Sequence, residues 1–307
     1  MKELFKNCID VIEEDGWILP TRFTEQQRNY IATNENRYIR VYAPSSVCLA
    51  FKTAATKLSF EYKITGKARP WAIFDLTCDG LITECVSLTD SEGRVELSLS
   101  GDERKEYRLY LPHLAVTFLR NISSDAPLFP VDDRERFWLA LGDSITQGMD
   151  AKHPTHTYPS IISEYMGLDL LDTGIGGARF SADWLDHVGR EPDLITVAFG
   201  CNDWGTERDA LTANVAAYME RILSLYECRC IYAILPIWRG NADELNADMT
   251  YREHIEAIRS VFEKYPFVKN NRRIRDNPSP PRVLRRGQPP QPSSDLGGTR
   301  DHGKRAH

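Results

Sequence analysis

Phe137-Trp138-Leu139-Ala140-Leu141-Gly142-Asp143-Ser144-Ile145-Thr146 is the stretch that decides the fold of this chain. Its five leading apolar residues form an unbroken run, the pattern of a short strand buried on both faces in a parallel sheet. A Gly-Asp step ends the run and a serine follows. Open α/β sheets bind ligands at the carboxyl ends of their strands, so Ser144 stands where a site is built. A serine hydroxyl is a poor nucleophile until a base removes its proton. Attack on an ester also builds an oxyanion, which needs fixed donors.

Downstream of Ser144 the chain alternates. Residues 158–166 read as a helix and 168–171 as a strand. A second buried strand is expected at 193–199, and a long helix at 207–226 with Leu211, Val215, Tyr218, Ile222 and Leu225 on one face. A strand at 230–236 and a helix at 250–264 follow. Such alternation means a parallel sheet covered on both faces. Two strand ends carry candidate donors. In Asp172-Thr173-Gly174-Ile175-Gly176-Gly177 the glycines let backbone N–H groups approach a ligand. In Gly200-Cys201-Asn202-Asp203 the Asn202 amide can donate. Gly174, Gly176 and Gly177 compete for the donor role. Asp143 is expected to bond nearby backbone N–H groups.

Upstream, residues 1–130 read as an all-β sandwich or jelly roll. Short runs rich in β-formers lie at 37–42, 57–64, 71–77, 94–99 and 107–112, separated by turn signals at 65–67, 78–80, 91–93 and 100–102. Residues 127–133 look like a linker into an α/β domain at 131–269. From residue 270 the chain is dense in arginine and proline and has no aromatic residue, so 270–307 reads as a disordered tail.

The three strand-end stretches resemble the conserved blocks of the GDSL esterase, or SGNH hydrolase, superfamily. The resemblance runs from about residue 137 to 267. It implies a flavodoxin-like, three-layer α/β/α domain. It also implies serine-dependent hydrolysis or transfer of small acyl groups of oxygen esters, carbohydrate esters among them, without metal or organic cofactor. Ser144 would be the nucleophile. The Ser144 N–H, the Gly177 N–H and the Asn202 side chain would hold the oxyanion, with Gly142, Asp143, Gly200 and Asp203 in support. Asp172 stands where the family usually has asparagine. The β-rich leader is similar to that of two-domain bacterial SGNH esterases and acyltransferases.

One expected block is missing from the sequence. The family's Asp-x-x-His, whose histidine is the general base, is not found. After Asp203 the histidines are His254, His302 and His307. His254 falls inside a helix, and the other two lack the spacing. A shift of reading frame near Asn270 would account for both the tail and the missing block, and the nucleotide sequence would show it. The α/β domain is thus expected to be C-terminally incomplete, and the chain to be weak or inactive. His153 and His156 follow the nucleophile closely and read as surface-loop residues.

Composition bounds the rest. Hydrophobic content of 42% and charged content of 27% are ordinary for a globular chain of 307 residues. A net charge of -6 argues against nucleic acid or an anionic membrane as the main partner. The N-terminus lacks a signal peptide's apolar core. The seven cysteines, an odd number without framework spacing, fit free thiols and a cytoplasmic location. Cys228 and Cys230 read as small residues on a buried strand. Trp184, Trp204 and Trp238 suit either a pocket or the core. A different class of reading is a carbohydrate-binding protein that stacks sugar on Trp71 and nearby tyrosines beside a vestigial hydrolase domain. A third is a leader that only covers the catalytic domain's edge.

Overall fold

The computed structural model describes residues 2–228 and 230–270. The decisive run forms the strand Arg136–Gly142 in a five-stranded, wholly parallel sheet. Across that sheet the strands lie in the order Leu168–Asp172, Arg136–Gly142, Leu194–Ala198, Ile231–Ala233, Val268–Asn270. Arg136–Gly142 therefore has the next strand in the chain on one side and the one after that on the other. This is the switch point at which the carboxyl ends of such sheets open a crevice.

Alternation along Arg136–Gly142 sorts its side chains between two covers. Phe137, Leu139 and Leu141 join a core with Leu211, Val215, Tyr218 and Ile222 of the helix Arg208–Leu225, and with Ile258, Val261 and Phe262 of the helix Tyr251–Phe262. Trp138 and Ala140 pack on the opposite face with Leu168, Leu170 and Tyr158, the last from the helix Tyr158–Met166. Thr250 starts Tyr251–Phe262 with a capping box to Glu253. The fifth strand, Val268–Asn270, is an addition to the sequence reading. Cys228 and Cys230 precede the strand Ile231–Ala233 rather than lying on it, and Cys230 is exposed.

The leader contains two antiparallel sheets packed face to face. One is built on Cys48–Lys52, Glu106–Tyr110, Ile73–Cys78 and Leu81–Ser87. The other runs Asp10–Glu14, Trp17–Thr21, Ala115–Ser124, Lys57–Lys67, Glu92–Ser98. Leu49, Phe51, Leu58, Phe60, Phe74, Leu97, Leu109 and Leu119 fill the space between them. An all-β region thus precedes a mixed α/β one, as the sequence implied.

Three expectations for the leader are corrected; one is the turn at 91–93, which falls largely within the strand Glu92–Ser98, where Gly93 pairs with Tyr62. Residues 37–42 are not a strand but most of the helix Glu35–Tyr42. Asn34 caps it by accepting the Arg37 N–H, and the rings of Tyr38 and Tyr42 meet one turn apart, tilted, with centroids 4.5 Å from each other. Those local interactions outweigh the β-preference of tyrosine, isoleucine and valine. A second short helix, Glu25–Ile31, precedes it. The expected turn at 65–67 is instead the end of the long strand Lys57–Lys67, where Gly66 pairs with Val116. Ile39 packs so closely on Gly66 that a Cβ there would lie 2.7 Å from Ile39 Cγ1.

The helix Glu35–Tyr42 joins the two regions. Ile39 faces the sandwich with Leu19 and Val116, while Val41 enters the α/β core with Phe23 and Ile31. Residues 271–307, including the expected tail and its frame shift, lie outside the described residues.

Candidate active site

Gly142 ends its strand, and the chain turns tightly through residues 143–149. The Gln147 N–H donates to the Asp143 carbonyl at 3.1 Å, and the Met149 N–H to the Ser144 carbonyl at 2.8 Å. Asp143 Oδ1 accepts the Ile145 N–H at 3.0 Å, the role expected of it. Its other oxygen is buried without a partner, and burial raises the carboxyl to about 6. Ser144 sits at the tip of this turn, half-buried.

The second strand end comes in close. A Cβ on Gly174 would lie 2.7 Å from the Thr146 carbonyl carbon, so glycine permits the two backbones to touch. The three glycines differ in their partners. The Gly174 N–H donates to Asp172 Oδ1 at 2.8 Å, and the Gly176 N–H to Gln147 Oε1 at 2.7 Å. No described group accepts the Gly177 N–H or the Ser144 N–H. Gly177 has φ of +77°, a conformation suited to glycine. Gln147, fully buried, also donates to the Arg40 carbonyl at 2.8 Å, which ties the 143–149 turn to the helix Glu35–Tyr42.

The third strand end follows Leu194–Ala198. Gly200, at φ +115°, gives its carbonyl to His254 Nε2 at 2.8 Å. That contact, with burial, fixes His254 as a structural histidine inside its helix. Asn202 Nδ2 donates to the Ala178 carbonyl at 2.9 Å, leaving its second amide hydrogen for another acceptor. Asp203 Oδ1 accepts the Phe180 N–H at 3.1 Å; its other oxygen is buried and unpartnered, and burial raises this carboxyl too to about 6. Asn202 and Asp203 thus brace the loop that carries Gly177.

Asp172, where asparagine was expected, is fully buried and meets the fully buried Arg22 at 3.8 Å. The Arg22 guanidinium donates to the carbonyls of Asp172, Gly174 (3.2 Å), Ala43 (2.8 Å) and Arg40 (3.0 Å). Ser46 donates to the Asp172 carboxylate at 3.1 Å. The leader supplies both of these partners.

Among the described residues no base is hydrogen-bonded to the Ser144 hydroxyl. His153 is held by Asp75 of the sandwich, Nδ1 to Oδ1 at 2.9 Å, and its ring lies 4.9 Å from that of His156. His113 is buried against the Gly148 carbonyl, and its pKa falls to about 4 because burial disfavours the cation. Asp75, Cys85 and His153 are the described residues that could hold a metal ion, their ligand atoms lying within 4.8 Å of one another. They come from three separate segments, which no spacing in the sequence would reveal. Trp184 is core, Trp204 is half-buried and Trp238 is exposed.

A cavity of about 230 Å³ opens at Ser144, lined also by Ile145, Met149, Asp150, Gly176, Gly177, Arg40 and Arg69. The sequence reading missed both arginines. Arg40 was hidden by the strand assignment; the Asn34 cap followed by Arg37 and Arg40 on one helical face was the available signal.

Residues 140–282 match the GDSL-like Lipase/Acylhydrolase family. No curated protein matches the chain. Among solved structures, the salicylyl-acyltransferase SsfX3 of a tetracycline biosynthetic pathway is similar at TM-score 0.73 and 22% identity, over 87% of this chain and 81% of that one. A Bacteroides ovatus protein described as a GDSL-like lipase gives 0.68 and 16% over 87% and 83%. A family two carbohydrate esterase of Clostridium thermocellum, solved with cellohexaose, gives 0.54 and 14% over 73% and 80%. The chain has the GDSL/SGNH hydrolase superfamily fold with an N-terminal β-sandwich-like domain.

Proposed function

We propose that the chain is a serine esterase or acyltransferase of the SGNH type, with Ser144 as nucleophile. The observation that carries this reading is the pair of backbone N–H groups, on Ser144 and Gly177, that lack acceptors at a switch-point cavity beside the serine hydroxyl. Oxyanion donors must be fixed before the charge develops, and these two are held by the hydrogen bonds of the 143–149 turn and the Gly174–Gly176 loop. The free hydrogen of Asn202 is the third donor.

In the reaction, Ser144 Oγ bonds to the ester carbonyl carbon and gives its proton to a base. The tetrahedral intermediate collapses, the alcohol leaves with a proton, and an acyl-serine remains. Water then releases the acid, or a second alcohol takes the acyl group. A sugar hydroxyl as the alcohol part is in keeping with the likeness to carbohydrate esterases. The β-sandwich region and α/β region act together, as three-layer hydrolase and leader, on a small-molecule or carbohydrate ester. Mass-spectrometric mapping after treatment with a fluorophosphonate tests the assignment. The adduct is expected on Ser144; an adduct elsewhere, or none on folded protein, sinks it.

A further inference from the structure

Three arginines gather at the Ser144 cavity, and none belongs to the strand ends that carry the nucleophile and donors. Arg40 and Arg69 line the cavity. Arg37, three residues before Arg40 on the same helix, reaches the Gly177 carbonyl at 3.4 Å. The chain as a whole is acidic, at -6, so this concentration of positive charge runs against its background. Asp150 is the carboxylate in the cavity lining, and it takes the Arg69 Nε at 2.6 Å. Asp172 lies beneath, already paired with Arg22.

Arg40 is placed with care for its head group. Its Nη1 donates to its own helix at the Asn36 carbonyl, 2.9 Å. Its Nε is buried and has no acceptor. A Cβ on Gly176 would lie 2.6 Å from that Nε, so glycine at 176 is what lets the guanidinium lie over the donor loop. Burial first, then the charges of Arg37 and Arg69, lower the Arg40 pKa. Buried donors without acceptors and crowded like charges are both destabilising. An anion in the cavity relieves both, and the planar fork of arginine matches a carboxylate or phosphate.

We propose that Arg40 and Arg69 form a subsite for an oxyanion group of the substrate, a carboxylate or a phosphate, carried by the same molecule whose ester meets Ser144. This deepens the esterase reading and rests on it for what the anion is attached to, but the binding itself does not depend on turnover. Arg37 acts as a positioning residue through Gly177 and adds to the local field.

The test is calorimetric titration of the Ser144→Ala chain with three esters: monoethyl succinate, 2-acetoxyethyl phosphate and neutral ethyl butyrate. At least one anionic ester is expected to bind tenfold or more tighter than the neutral one, and which of the two binds tighter identifies the oxyanion. Arg40→Met and Arg69→Met should each remove most of that advantage. Asp150→Asn, which releases Arg69, should strengthen anion binding about twofold or more, a gain that misfolding cannot imitate. Equal binding of charged and neutral esters, or an anion preference untouched by the arginine variants, overturns the proposal. Fluorophosphonate labelling of the unmodified chain separates the two ideas. Anion binding without Ser144 labelling keeps the subsite and removes the esterase; labelling without anion preference does the reverse.

Discussion

Asp172 shows what a single departure from a pattern demands. A carboxylate in place of an amide puts an ionisable group where it is fully buried, and its charged form there needs a counter-ion. Arg22 meets it and spends its remaining donors on four backbone carbonyls, those of Asp172 and Gly174 at the strand end and those of Arg40 and Ala43 at the end of the helix Glu35–Tyr42. Removing one member of a buried pair costs about 3–5 kcal/mol. Arg22→Met is therefore expected to lower unfolding stability in urea by that order, and a change under about 1 kcal/mol would contradict the pairing. Asp143 and Asp203 set a different dependence. Both carboxyls are raised to about 6 by burial, against about 4 in an unfolded chain. Folding therefore takes up protons between these values, and the stability the pair contributes is present at low pH and lost as pH rises through 6. His113, lowered to about 4, works in the opposite sense over the same interval, so the test is the difference between two proteins: from pH 5 to pH 7.5 the melting temperature of the Asp143→Asn, Asp203→Asn variant should gain on that of the parent. A gap between the two that stays constant with pH would contradict the assignment.

At the scale of elements, the α/β half was legible and the leader less so. Buried parallel strands announce themselves as apolar runs, and the helices Arg208–Leu225 and Tyr251–Phe262 appeared close to their expected bounds because each keeps one apolar face; Tyr158–Met166 also appeared where expected, but it buries Pro159, Ser160 and Ser163 and leaves Ile161, Tyr165 and Met166 exposed. The helix Glu35–Tyr42 was read as a strand because its β-forming side chains spoke louder than its cap. Its identity depends on packing between two regions far apart in sequence, with Ile39 on the sandwich and Val41 on the α/β core. The same packing hid Arg40 from the site. Ser144 and the loops of Gly177 and Asn202 could be located from strand ends alone, whereas Arg22, Arg40, Arg69 and Gln147 reach them only through tertiary contacts. Losing the Asn34 cap should cost about 1 kcal/mol. Asn34→Ala is thus expected to lower stability modestly while weakening anion binding at Arg40, since the helix is what carries that side chain. Unchanged anion affinity in a destabilised variant would show that the helix does not set its position.

For the whole molecule, the leader is part of the site rather than an appendage. Phe23, Ile31 and Val41 complete the α/β core, and Arg22 neutralises Asp172 within it. Residues 131–307 expressed alone should therefore aggregate or unfold, as judged by size-exclusion chromatography and circular dichroism; a monodisperse, folded product would refute this. No helix among the described residues is long and apolar enough to cross a membrane. The described residues also place no base on Ser144. A serine with its oxyanion donors but without its base keeps only ~10³–10⁴ of rate over water in known triads.

Hydrolysis of p-nitrophenyl acetate by the unmodified chain, beside its Ser144→Ala variant at equal concentration, tests the central claim most directly. The account predicts slow release of p-nitrophenol, far below that of a complete triad and close to the variant's, because the catalysis left to a triad without its base does not come from the serine. Efficient release that is lost in the variant would contradict the missing base.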